Sequence, residues 1–290
     1  MLRESDLIIE PRLHDLGDGF VVRRVLPFRL RRQVGPFVFF DHFGPVDFAA
    51  GRGMDVRPHP HIGLATVTYL YDGAIRHRDS LGSDQVIRPG DVNWMTAGRG
   101  IVHSERTPPD ERANGQKLHG VQTWLGLPLE SQDVEPDFHH HAAATLPEDE
   151  RSGVRIRVIA GTGFGMESPV RVYSPTLYVD ARFDAGARIV LPDEHAERAV
   201  YAIDGGLSVG GEPLEQGRMH VLAAGEMELS ASTPARALIC GGAPLDGERL
   251  IWWNFVASSR TRIERAKADW VAQRFGQVPG ETEFIPLPEQ

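Results

Sequence analysis

Cysteine is almost missing from this chain. Cys240 stands alone among 290 residues, so no intrachain disulfide can form, and a thiolate-rich structural zinc site is excluded. That usage fits a reducing compartment. No apolar run approaches the roughly 20 residues that a membrane-spanning helix needs. The opening Met1-Leu2-Arg3-Glu4-Ser5-Asp6 lacks the basic-then-apolar order of a secretory leader. The expectation is a soluble, cytoplasmic protein without a membrane partner. Positive charge is scarce too: 31 Lys and Arg face 40 Asp and Glu, a net charge of -9 with a pI of about 5.7. Direct nucleic-acid binding, which needs a positive surface, is therefore not expected. The local basic runs Arg23-Arg24 and Arg29-Leu30-Arg31-Arg32 read as solvated faces between strands.

What the chain does hold is two short clusters of metal-type ligands. The first is Arg57-Pro58-His59-Pro60-His61; the second is His103-Ser104-Glu105. Each pair of ligands is two residues apart, a spacing that puts both side chains on one face of a β-strand. A helix would need spacings of three or four. Two such strands side by side would converge three imidazoles and one carboxylate, a set suited to Fe, Mn, Ni, Cu or Zn. Pro60 cannot donate a ladder hydrogen bond, so its segment is expected at an edge, a bulge or a strand start.

The surroundings read as β-structure. Val67-Thr68-Tyr69-Leu70-Tyr71, the turn Asp72-Gly73 and Ala74-Ile75-Arg76-His77-Arg78-Asp79 have the pattern of a hairpin. His77 reads as structural. His119 and Gln122 read first as core or surface polar residues, and Asp41-His42 as a turn cap beside a surface histidine. His139-His140-His141 lies in what reads as a linker, and three successive residues cannot face one point from a strand. Residues 154–245 carry a second β-set. There Ala199 to Val209 repeats the strand, acidic-Gly turn, strand style of Thr66 to Asp79, a weak internal repeat of one barrel. His195 and His220 stand alone in that copy, which is expected to be metal-free. Thr261-x-x-Glu264 has the form of a capping box, and Ile263, Ala266, Trp270 and Phe275 lie near one face of the helix that would follow, with Gly276 as its stop.

Gly53 followed by His59-Pro60-His61, then Pro89-Gly90-Asp91 with His103, resembles the two motifs of the cupin superfamily. The longer run from Pro89 to Glu105 resembles the signature of the pirin family, as does Trp252-Trp253-Asn254-Phe255-Val256-Ala257-Ser258-Ser259. The likeness spans Gly19 to Phe275. The usual cupin glutamate after the first motif is absent: Ala65 and Thr66 occupy its positions. In pirins the fourth ligand comes from the second motif, matched here by Glu105. Many pirins carry Arg-Gly-Phe-Glu where this chain has Ile62-Gly63-Leu64-Ala65, so the charge near the cavity differs.

The resemblance implies an all-β fold of two antiparallel, jelly-roll-like cupin barrels. Residues 1–135 would form the metal-bearing barrel, and residues 136–290 a metal-free barrel ending in a helix. It implies that His59, His61, His103 and Glu105 bind iron. By its own chemistry Glu105 is also a candidate general base if its carboxylate swings off the metal. It implies quercetin 2,3-dioxygenase activity, with O2 and a flavonol-like small aromatic molecule as substrates. The family also contains regulators that bind protein partners, so a metal-binding interaction protein without turnover is the second expectation. A monomer is expected.

Overall fold

The computed structural model describes residues 7–15 and 20–289. The Met1 to Asp6 stretch and Gly19, both used above, lie outside the described residues. Strands dominate, and contacts divide the chain into two compact units, each discontinuous in sequence. Of the described residues, one takes 15, 20–21, 43–143 and 245–289; the other takes 7–14, 22–42 and 144–244.

The first unit contains β1 (Asp55–His61), β2 (Leu64–Asp72), β3 (Ile75–Asp79), β4 (Asp84–Ile87), β5 (Val92–Thr96), β6 (Ile101–Arg106), β7 (Gln116–Gly126) and β8 (Asp137–His141). They build two antiparallel sheets, one ordered β1-β6-β3-β4 and the other containing β8-β5-β2-β7. The Asp72-Gly73 turn therefore does not close a hairpin. β2 is buried along nearly its whole length, with β5 on one edge and β7 on the other. No edge is left for β3, so the chain crosses to the opposite sheet, where β3 pairs with β4 and β6.

The second unit repeats this plan. Its smaller sheet is ordered Arg188–Leu191, Met227–Ala231, Leu207–Val209, Glu212–Leu214, which is the same first, last, second, third sequence as β1-β6-β3-β4. Its core joins Val154, Ile156, Val158, Leu177 and Val179 with Val200, Leu229 and Ile239. Alternate residues of each strand supply it, as the period of two requires. The internal repeat seen in the sequence is thus a repeated topology.

Two segments lie elsewhere than a single cut at residue 135 would put them. The His139-His140-His141 run is no linker. It is part of β8, paired with β5, so the first unit continues to Ala143. The end of the chain also belongs to the first unit. Helix α2 (Arg260–Val271) follows the short α1 (Pro109–Asn114). It packs Ile263, Ala266 and Trp270 against Ile62, Val102 and Phe255. Its N-cap is Ser259, whose hydroxyl accepts from Arg262 N at 3.4 Å, two residues earlier than the Thr261 box suggested. The helix stops at Val271, and Gln273 takes the left-handed conformation at φ 54°, before Gly276 is reached.

After the helix the tail crosses the outer side of β6 and β1. Trp270 Nε1 donates to Ile285 O at 3.0 Å, and Ile285 N donates to Pro58 O at 2.8 Å. Glu281 accepts from Ser104 Oγ at 3.1 Å and from Arg106 Nε and Nη2 at 2.9 and 2.8 Å, and it pairs with Arg78. Ser104 and Arg106 alternate with His103 and Glu105 on β6. The tail therefore holds one face of the strand whose other face carries the predicted ligands. No helix among the described residues is long and apolar enough to cross a membrane.

Candidate metal centre

β1 is the edge strand of its sheet, which is where a segment with Pro58 and Pro60 can be tolerated. It pairs with β6 so that His59 faces His103 and Pro60 faces Val102, yet Glu105 lies opposite Val56. Arg57 and Pro58 together oppose Ser104, a β-bulge of the kind that re-aims side chains beside sites. The bulge also has a local use, because the Arg57 carbonyl accepts from His59 Nδ1 at 2.9 Å.

His59, His61 and His103 come together. Their ring centroids are 4.4 to 5.0 Å apart, and one nitrogen of each lies within 4.8 Å of the others. This group could hold a metal ion. His61 and His103 are each 1 % exposed and His59 is 7 % exposed. Burial pushes all three imidazoles below their ordinary pKa, His61 and His103 well below it, and for His103 the neighbouring His59 and His61 add to the effect. The rings are therefore neutral at pH 7, the form that ligates metals.

The tautomers follow from the partners. His61 Nδ1 lies 3.1 Å from Asn254 O, and a carbonyl only accepts. His59 and His61 thus carry the proton on Nδ1, spent on backbone carbonyls, and the unprotonated nitrogen of each is Nε2. His103 Nε2 is buried with no hydrogen-bond partner, an uncommon state for a buried polar nitrogen that a bound ion would relieve. The donor set fits a divalent transition metal: three neutral imidazoles, no thiolate and a carboxylate nearby.

Glu105 is buried beside the triad but is not a member of the group within 4.8 Å. Its carboxylate accepts from Gln122 Nε2 at 2.9 and 2.8 Å and from Thr68 Oγ1 at 3.2 Å. Gln122 thus faces the site, contrary to the core-or-surface reading of the sequence. The signal for it was its alternation with Gly120 and Trp124 on β7. Trp124 meets His61 edge-on at 5.1 Å, so it and Gln122 project to the same side. His119 instead packs on Tyr71 at 4.9 Å.

His77 also touches the site. Its Nδ1 is 3.3 Å from His103 Nδ1, and its Nε2 is 3.0 Å from Asp79 Oδ2. The His77-x-Asp79 spacing is the same strand-type pair as His59-x-His61, a signal the sequence reading passed over. Asp41 and His42, read as a turn cap beside a surface histidine, are instead buried within a strand and belong to the other unit. There Asp41 accepts from Arg24 Nε and Nη2 at 2.9 and 2.8 Å, and His42 Nδ1 meets the Tyr201 hydroxyl at 2.8 Å. His139 pairs with Asp137 at 2.7 Å and His140 with Asn93 at 2.8 Å, on opposite faces of β8. Ala65 and Thr66 are buried on β2 opposite Leu125 and Trp124. A cavity of about 840 Å3, lined by residues that include Thr162, Glu167 and Arg171, lies in the second unit and contains none of the predicted ligands.

Comparison with known proteins adds a family context. The pirin family profile matches residues 19–125, and the profile of the pirin C-terminal cupin domain matches residues 178–276. A pirin-like protein of Caulobacter vibrioides is 49% identical over 290 residues, which is 98% of this chain and 99% of that protein. A Pseudomonas aeruginosa protein with a provisional quercetin 2,3-dioxygenase name is 42% identical, over 93% of this chain and 85% of its own length. The crystal structure of a quercetin 2,3-dioxygenase from Acinetobacter baumannii superposes with a TM-score of 0.92 at 37% identity, covering 98% of this chain and 95% of that one.

Proposed function

This chain belongs to the pirin family, and from that premise we propose that it is a metal-dependent dioxygenase of the quercetin 2,3-dioxygenase type, using O2 on a flavonol-like substrate. His59, His61, His103 and Glu105 are the proposed ligands, and Fe2+ the proposed ion. One observation carries the reading: three buried, neutral imidazoles converge within 4.8 Å, and the ring of His103 ends in a buried nitrogen without a partner. When bound, the ion supplies Lewis acidity toward a substrate hydroxyl and open positions for a second reactant.

The chain's own groups do the rest. The imidazoles keep their Nε2 lone pairs because burial disfavours protonation. Gln122 and Thr68 fix the direction of the Glu105 carboxylate, so its oxygens are poised either to ligate or to accept the proton of a substrate hydroxyl. Trp124, packed edge-on to His61, shields that ligand from water. Nitrogen and oxygen donors of this kind hold Cu2+ and Zn2+ at least as tightly as Fe2+. Elemental analysis of protein purified without added metal therefore identifies the resident ion.

The test is anaerobic loading with Fe2+, followed by exposure to quercetin and O2. Loss of quercetin with release of CO is expected. His59→Ala should abolish turnover while the circular dichroism spectrum and Tm stay those of the metal-free parent. If iron-loaded protein turns over no flavonol and a defined protein partner co-purifies with it, the chain is instead a metal-binding interaction protein.

A further inference from the structure

His103 Nδ1, His77 and Asp79 form a hydrogen-bonded line that leads away from the ligand cluster, with links of 3.3 and 3.0 Å. His103, His77 and Asp79 are 1 %, 3 % and 0 % exposed, so no water competes for these bonds. Phe138 stacks on His77 at 4.3 Å with an interplanar angle of 9°, which holds the ring in one plane. The far end is anchored by the turn after β3: Asp79 Oδ1 accepts from Leu81 N at 2.9 Å and Ser83 N at 3.0 Å.

The two ends of this line set the direction of its protons. At the far end burial raises the Asp79 pKa, but the hydrogen bond and charge of His77 and the hydrogen bonds from Ser83 outweigh it and leave the carboxyl below its ordinary range. An ionised carboxylate only accepts, so His77 donates to it from Nε2. At the near end a proton on His103 Nε2 would be buried with no acceptor, so the ring carries it on Nδ1, where His77 Nδ1 accepts it. His103 is thereby held as the Nδ1–H tautomer, with its lone pair on the buried Nε2 that meets no partner.

We propose that His77 and Asp79 are positioning residues that set the tautomer of His103 across two hydrogen bonds, so that the nitrogen presented to a metal is always unprotonated. The functional consequence rests on reading His103 as a metal ligand; the tautomer itself does not. His59 and His61 obtain the same result from fixed backbone carbonyls. His103 has no such carbonyl, and a side-chain relay takes its place.

The relay makes an isosteric change two links away decisive. In Asp79→Asn the amide oxygen can keep the Leu81 and Ser83 contacts, while the amide nitrogen replaces Oδ2 and donates. His77 Nε2 then accepts, its proton moves to Nδ1, and His103 Nδ1 becomes an acceptor with the proton on Nε2. Two-bond 1H–15N spectra of metal-free, histidine-labelled protein read this directly. Wild type should show His103 as Nδ1–H, and Asp79→Asn should show it as Nε2–H. Affinity for Co2+ as probe should fall about 10- to 100-fold. His77→Phe keeps the stack on Phe138 but removes the acceptor, so both His103 tautomers should be populated and Co2+ affinity should fall less. Retention of the Nδ1–H form in Asp79→Asn overturns the proposal. If that variant does not fold, an unchanged His103 tautomer in His77→Phe with Co2+ affinity within about twofold of wild type overturns it. A failed quercetin assay would sink the dioxygenase reading and leave the tautomer result untouched.

Discussion

Replacing Glu281 by glutamine tests what the C-terminal tail does for the strand that carries His103. The side chain is 7% exposed and accepts from Ser104, Arg106 and Arg78. Glutamine keeps the shape, removes the charge and turns an amide NH2 toward two guanidinium groups. Hydrogen bonds to a charged group are worth about 1.5–3 kcal/mol each, but they do not simply add here. Arg106 retains Glu283 and Asp55 as partners, and both arginines are about one-fifth exposed to water. A net loss of about 2–3 kcal/mol is expected, a fall in Tm of about 4–12 °C for a unit of this size. Glu135→Gln is the control, because the Arg99–Glu135 pair is 62% and 73% exposed. It should cost under about 0.5 kcal/mol. The pH dependence has a defined sign. Burial raises the Glu281 pKa, but the hydrogen bonds and charges of Arg106, Ser104 and Arg78 outweigh it and leave it lowered. Its contribution is therefore complete above the unfolded carboxyl value of about 4.3 and is lost as pH falls through the lower folded value. Differential scanning calorimetry at pH 7 and near pH 3 measures both effects. A Glu281→Gln shift no larger than that of Glu135→Gln, or a gap from wild type that does not narrow in acid, refutes the reasoning.

Three further outcomes can be checked. Gly63 sits at φ +69°, and an added Cβ would lie 2.0 Å from the Val256 carbonyl. Its own backbone is pinned by Gly98 and Leu127, so Gly63→Ala should cost about 3 kcal/mol or more in urea unfolding. The Cys240 thiol is fully buried and pushed up to about 12 by burial, so a thiol reagent at pH 8 should label it only after denaturation. Gln122→Leu removes the amide that grips both Glu105 oxygens. Flavonol turnover by the metal-loaded variant should fall about 10- to 100-fold with the far-UV spectrum unchanged, and a variant with wild-type turnover would show that Glu105 needs no such guide.

Much of the candidate centre was legible because strand periodicity is local. His59-x-His61 and His103-x-Glu105 declare their shared faces within three residues, and Pro60, expected at an edge, a bulge or a strand start, lies on an edge strand whose bulge falls at Arg57 and Pro58. The Asp72-Gly73 turn misled because a turn specifies a reversal and not the sheet in which the next strand pairs. The linker reading of the His139-His140-His141 region failed because β8 is an edge strand, rich in polar side chains and held by backbone hydrogen bonds to β5.

The amino-acid sequence alone determined the two β-barrels, the absence of any disulfide and the strand-spaced histidines, since composition and a period of two are properties of neighbouring residues. Tertiary structure alone decided which nitrogen each histidine offers and what holds its strand. Asn254 reaches His61 across 193 positions, His77 meets His103 across 26, and Glu281 meets Ser104 across 177. A hydrogen bond to a side chain is chosen by which strands become neighbours and in what register, and that choice leaves no periodic trace along the chain.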